Sequence, residues 1–320
     1  MKYLCLSFVL LFSFQLTGQF DSNEHRLIKD LKEATREPLR VFQLDLSDQG
    51  LTEIPKVIST FKNLRLLNLS NNSIYQMNDA LSNLRELQIL KLTNNRLSVF
   101  DFSKISGSSA ILEEIYLRGN ILRKIDQSIQ DFQQIRVLDL GRNKIAQIDN
   151  ELYLKNLRWL HLDANELKIL PSLAVSSKLD MLNINDNQIT EFTLDERFQK
   201  LERLDIGNNP IEDFKIKKLK YKMIILILDW IDLSQNSLSY LPQKLEGLSM
   251  EHCSLNSFPE SIRSLKKLKE ISVMHNSIEL FDFAKGDFPK IKKFWTGGND
   301  FDEKSLEHLD QMGDVIHLAH

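Results

Sequence analysis

One spacing constrains this chain more than any other property. Aliphatic residues return in the pattern L-x-x-L-x-L-x-x-N-x-L at intervals of about 23 residues. The copies Leu64, Leu67, Leu69, Asn72, Ile74 and Leu87, Leu90, Leu92, Asn95, Leu97 carry it in full. With the second aliphatic as marker, the register runs Leu44, Leu67, Leu90, Ile115, Leu138, Leu160, Leu182, Leu204, Ile231, Leu248, Ile271 and Phe294, twelve copies over residues 41–301. The unit after Leu204 is 27 residues long and the next is 17; together they make 44, twice 22, which predicts one local bulge in an otherwise even array. Such a period argues for units that bury their apolar sides by stacking on their neighbours.

Within each copy the L-x-L alternation has a period of two, so both aliphatics lie on one face of a short strand. Stacked copies therefore predict a parallel sheet lining the inside of an arc. The amide position is filled by Asn72, Asn95, Asn120, Asn143, Asn165, Asn187, Asn209, Asn236, Asn276 and Asn299, with Gln49 and Cys253 in the remaining two copies. A side-chain amide both donates and accepts, so these residues are expected to satisfy turn backbone in their own and the adjacent repeat, as a ladder through the interior. Cys253 reads there as a small, buriable, weak donor. Phe61, Phe132, Phe198 and Phe288 recur before the next strand and are expected in the core beneath the convex side. The lysine-rich stretch Lys215–Lys222 reads as a solvated convex loop ahead of the buried run Met223–Leu228.

This signature resembles the leucine-rich repeat family over residues 41 to about 301. The resemblance implies an α/β fold: a curved horseshoe solenoid of about twelve repeats of 22–23 residues, with its sheet on the concave face. Leu51-Thr52-Glu53-Ile54-Pro55 and Leu255-Asn256-Ser257-Phe258-Pro259 resemble the L-x-x-L-P turn of the short-repeat bacterial and Ras-associated subfamilies. Both ends of an open solenoid need caps. Residues 19–40 are expected to supply one as a helix, N-capped by Asp21 or Ser22 and running to about Arg36 with Leu27, Ile28 and Leu31 on one face. Residues 302–320 supply the other: a short helix over Asp302–Met312 and a last strand near Val315–Leu318.

Residues 1–18 read as a Sec signal peptide: Lys2, an apolar run Tyr3–Phe14, and small residues at Thr17-Gly18. Gln19 stands where a lipobox would need cysteine, which argues against a lipoprotein, and the expected location is secreted, periplasmic or cell envelope. After that segment no apolar run is long enough to span a bilayer. Cleavage would leave Cys253 as the only cysteine and no intramolecular disulfide.

The positions between the inward aliphatics point into the concave surface, and function is expected there. The candidate binding residues are Tyr116, Arg118, Arg142, Trp159, His161, Asp163, Met181, Arg203, Asp205, Trp230 and Asp232. All three tryptophans, Trp159, Trp230 and Trp295, fall outward in this register, and Trp, Tyr and Arg are the types enriched at binding hot spots. Outward aromatics can also simply stack on their sheet neighbours. His161 with Asp163 lacks a third catalytic partner, and His252 with His275 is at most an adventitious metal pair. No cofactor motif, catalytic site or metal-ligand set is read from the sequence. A net charge of −3 without a clustered basic excess argues against nucleic acid. The expected partner is a protein or peptide, or alternatively a glycan, held without catalysis. A structural role in the envelope is the alternative, or a cytoplasmic scaffold if the signal reading fails. Oligomeric state stays open.

Overall fold

The computed structural model describes residues 26–312 and 316–317, except 126, 149–151, 171–177, 236–237 and 285. The signal-peptide reading therefore lies outside the described residues, as does Asn236. Among the described residues fourteen strands form one open, parallel sheet in strict sequence order, from Leu27–Ile28 to Ile316–His317. Most central strands are three residues long, with the middle residue buried and its neighbours half-exposed, as at Leu66–Asn68 and Trp159–His161. This is the alternation read from L-x-L. The convex side returns through short 3-10 turns such as Lys56–Thr60 and Glu260–Ser264, started by Pro55 and Pro259 of the two L-x-x-L-P segments. Two small parallel pairs, Lys124–Ile125 with Gln147–Ile148 and Glu191–Leu194 with Asp213–Ile216, complete it. Phe61, Phe132, Phe198 and Phe288 are buried beneath it.

The amide ladder is present and follows one rule. Asn165 Nδ2 donates to Leu140 O at 3.0 Å in the preceding repeat and to Leu162 O at 3.0 Å in its own. Its Oδ1 accepts from Ile145 N at 2.9 Å. Each carbonyl of this kind therefore serves two successive amides: Leu140 O also accepts from Asn143 Nδ2 at 2.9 Å.

The register corrects the expected bulge. Arg203–Asp205 pairs with Ile225–Ile227, which pairs with Gly247–Ser249, so the marker of this repeat is Leu226 and not Ile231. From Leu204 to Leu226 to Leu248 is 22 and 22, and the 27 and 17 disappear. Ile231 then occupies the amide position, where Asn236 was expected. Leu226 and Leu228 carry the same spacing as Ile231 and Leu233, and all four are buried, so aliphatic periodicity alone did not separate the two registers. The ladder skips this rung: Ile211 N–H, lacking an amide oxygen, bonds Asn209 O at 2.8 Å. At the next rung Cys253 Sγ lies 3.2 Å from Leu228 O as a donor, and Leu233 N–H bonds Cys253 O at 2.9 Å.

The N-terminal cap differs from the expected helix over its described part, while the expected N-caps Asp21 and Ser22 lie outside the described residues. Leu27–Ile28 is an edge strand on Gln43–Leu44, burying Ile28 on the core, because the open sheet end offers unpaired backbone there. The helix is a single turn, Leu31–Ala34, capped by Asp30 Oδ1, which accepts from Lys32 N at 2.7 Å. At the other end the helix Glu303–Met312 and the strand Ile316–His317, paired with Phe294–Trp295, agree with the sequence reading. Among the described residues no helix is long and apolar enough to cross a membrane.

Candidate functional site

Because the strands pair in register, residues at one repeat position form rows across the concave sheet. The row just ahead of the buried marker reads Val137, Trp159, Met181, Arg203, Ile225 and Gly247, each the direct cross-strand partner of the next. Five of these six carry no charge, on a surface where charge is otherwise common. Trp159, Met181 and Arg203 are half-exposed and Val137 is nearly covered, as expected of a row whose members shield one another. At about 4.8 Å per strand the row spans roughly 24 Å.

Beside it, several predicted residues are committed to one another. Arg118 reaches over Gly141 to Asp163, with Nη1–Oδ1 at 2.9 Å and Nη2–Oδ2 at 2.5 Å, and stands 3.6 Å from Asp139. A Cβ at Gly141 would lie 2.2 Å from Arg118 Nη1, so glycine makes room for this clasp. The hydrogen bond to Asp163 holds Arg118 more firmly in its charged form. Tyr116 donates to Glu114 Oε2 at 2.9 Å beneath the Lys91 ammonium, and burial pushes its phenol well above the usual range. His161 lies half-exposed between Asp139 and Asn183. Asp205 accepts from Gly207 N at 3.1 Å and Asn185 Nδ2 at 2.9 Å; burial pushes its carboxyl up to about 7. Burial likewise lifts Asp229, bound by Ser249 Oγ at 2.6 Å, to about 6.

Trp230 and Asp232 are not on the strands, contrary to expectation. With Leu226 as marker, Trp230 occupies the turn position that follows each strand, where Asn71, Asn94, Arg142, Asp186, Asn208, His252 and His275 also take positive φ. Trp230, at φ 61°, is 48% exposed. Its ring stacks on His252 at 3.8 Å, and His252 stacks on His275 at 4.4 Å, both within 16° of parallel. Burial and then His275 lower the pKa of His252. Imidazole lone pairs lie in the ring plane, so two rings stacked face to face do not converge on one ion. Among the described residues no group of three or more His, Cys, Asp or Glu is placed to hold a metal. Asp232 lies beyond the turn, exposed, accepting from Ser234 N at 3.0 Å.

Sequence reasoning missed the residues that the shifted register turns outward. Ile225 and Ile227 face the concave side half-buried, and with Ile224 they line a depression of about 310 Å³ beside Gly247. An even 22-residue step from Leu204 would have found them.

The comparisons with known proteins agree with this architecture. The model of the family "Leucine rich repeat" matches residues 40–97 and 110–167, and that of "Leucine Rich repeats (2 copies)" matches 177–220. Among solved structures, a leucine-rich repeat protein of Leptospira interrogans is 19% identical, with 92% of this chain and 100% of that chain covered at a TM-score of 0.56. An internalin of Listeria monocytogenes is 20% identical over 89% of each chain, with a TM-score of 0.65. TLR13, solved in complex with ssRNA13, is 20% identical over 91% of this chain and 48% of its own, with a TM-score of 0.63. From the twelve-fold pattern, the open parallel sheet and these matches, the chain belongs to the leucine-rich repeat proteins.

Proposed function

We propose that this protein is an exported, non-catalytic binding module that holds a protein or peptide partner along its concave sheet. One observation carries the reading: in the uninterrupted row Val137–Trp159–Met181–Arg203–Ile225–Gly247, across about five strand spacings, the large side chains of Trp159, Met181, Arg203 and Ile225 stay half-exposed on adjacent strands. A contiguous, half-exposed apolar stripe rimmed by polar groups costs solubility and marks an interaction surface. Tryptophan and arginine at its centre are hot-spot types, and neighbouring strands hold them in place. TLR13 was solved with an RNA, but phosphate recognition needs clustered cations. Arg118, the base beside the centre of the row, is already clasped by Asp163. Export rests on residues 1–18.

The test is Trp159→Ala combined with Met181→Ala, with folding checked by circular dichroism. A partner recovered by pulldown from the native source should bind the double variant at least tenfold more weakly. Unchanged affinity would place the site elsewhere. For export, mass spectrometry of the mature N-terminus should find a start near Gln19; an intact Met1 would refute it.

A further inference from the structure

Gly247 ends the concave row, and its own backbone does not require glycine. It is absent from the positive-φ residues, and a Cβ placed on it would meet nothing closer than Ile225 Cγ1, at an ordinary 3.6 Å. Gly141 and Gly207 differ, since a Cβ there would strike Arg118 Nη1 at 2.2 Å or Asp229 O at 2.9 Å. Glycine inside a strand weakens it, and it recurs where a ligand or another backbone approaches closely. The gap at Gly247 is the depression of about 310 Å³ floored by Ile224, Ile225 and Ile227. That volume lies at the low end of the roughly 300–1,000 Å³ of small-ligand clefts.

The charges around the gap are unequally spent. Lys269 Nζ is 2.6 Å from Glu246 Oε2, and Lys293 Nζ is 3.9 Å from Glu270 Oε1. Among the described residues Arg203 and Lys292 make no ion pair and no side-chain hydrogen bond, yet both line the depression. Arg203 lies on the second strand before Gly247, and Lys292 immediately precedes the second strand after it. Two strand spacings are about 10 Å, or roughly three residues of extended chain at about 3.3 Å each.

Resting on the concave-face reading above, we propose that the Gly247 notch receives one bulky apolar side chain from an extended segment of the partner. Arg203 and Lys292 hold acidic side chains about three residues to either side of that anchor. The partner chemistry is thus an acidic, extended peptide with a central leucine-like or aromatic residue.

The experiment is selection of a random dodecapeptide display library on the full-length protein, followed by affinities of the selected peptides. Enriched peptides should carry a bulky apolar residue flanked by acids about three positions away. Gly247→Val should weaken them at least tenfold, and Gly247→Ala, whose Cβ fits without a clash, should weaken them in the same direction. Arg203→Ala and Lys292→Ala should each weaken binding several-fold and reduce its salt dependence. Failure to enrich such peptides, or undiminished binding to both Gly247 variants, overturns the notch. Peptides sensitive to Trp159→Ala but not to the Gly247 variants would overturn the notch while leaving the concave face in use; insensitivity to all would overturn both. A dimer in sedimentation velocity that Gly247→Val abolishes would give the notch to a second copy and refute the peptide assignment.

Discussion

Removing two neighbouring ladder amides should cost more than the sum of removing each, and the geometry says by how much. In Asn165→Leu, Leu162 O keeps Asn187 Nδ2 at 3.0 Å, Leu140 O keeps Asn143 Nδ2 at 2.9 Å, and Asp163 O keeps Arg142 N at 2.7 Å. Ile145 N–H alone loses its partner outright. One unsatisfied buried donor costs about 1–3 kcal/mol. Ile211 N–H, which found Asn209 O at the Ile231 rung, argues for the low end of that range. Asn143→Leu is equivalent: it strands Leu122 N–H, and Leu117 O keeps Asn120 Nδ2 at 2.9 Å. In the double variant Leu140 O, which had only these two amides, is left bare inside the solenoid. The expected coupling is therefore another ~1–3 kcal/mol beyond additivity. Urea unfolding followed by far-UV circular dichroism, with the m-value checked for constancy, measures the cycle. Asn95→Leu with Asn165→Leu is the control, since those amides share no carbonyl and should add within about 0.5 kcal/mol. Additivity in the adjacent pair as well would refute the shared-carbonyl account.

Three further outcomes follow from the same region. Cys253→Ala should destabilise by about 1 kcal/mol, the order of one net hydrogen bond, because Sγ donates to Leu228 O at 3.2 Å while that carbonyl keeps Ile231 N–H at 3.3 Å, and Cys253→Ser should recover part of the loss. The native thiol, buried and with its pKa raised by burial, should react with thiol reagents only on unfolding, so fast labelling of the native state would count against this placement. Asp205 and Asp229, lifted by burial to about 7 and about 6, bind protons more tightly folded than unfolded, where the ordinary value is about 3.9. Their contribution to stability is fully present below the unfolded value and is lost as pH rises through 6 to 7. Asp205→Asn should flatten the urea midpoint between about pH 5 and 8 and raise it at pH 8, and an unchanged pH slope would sink the assignment.

Much of this architecture was legible because one residue type does one job per turn of the solenoid. Leu67 and Leu69, or Leu160 and Leu162, could only be inward, and the amide at Asn72 or Asn165 has a bonding duty that the folded chain fulfils. The reading slipped where two residues could do that job equally well. Ile231-x-Leu233 copies the spacing of Leu226-x-Leu228, and the missing asparagine removed the cue that separates them. That slip carried Trp230 and Asp232 onto the sheet and hid Ile225 and Ile227. The N-terminal cap failed differently: Leu27, Ile28 and Leu31 suit a helical face, but the unpaired edge of the sheet drew Leu27–Ile28 into extended pairing, a tertiary demand that local pattern does not encode. That Arg118 is spent on Asp163 is a contact across two repeats, invisible to spacing within one.

The two consecutive rungs without an asparagine, Ile231 and Cys253, also matter for how the array comes apart. A solenoid behaves as a chain of links, each coupled to its neighbours, and opens where the coupling is weakest. Eight amide-type rungs, from Gln49 to Asn209, precede this seam and Asn276 and Asn299 follow it, so the molecule divides mechanically into a long and a short arm. Pulled from its ends, it should yield first near the strand Ile225–Ile227. A ligand lying across Arg203, Ile225 and Gly247 would bridge that seam, splinting the arms together and converting occupancy into stiffness.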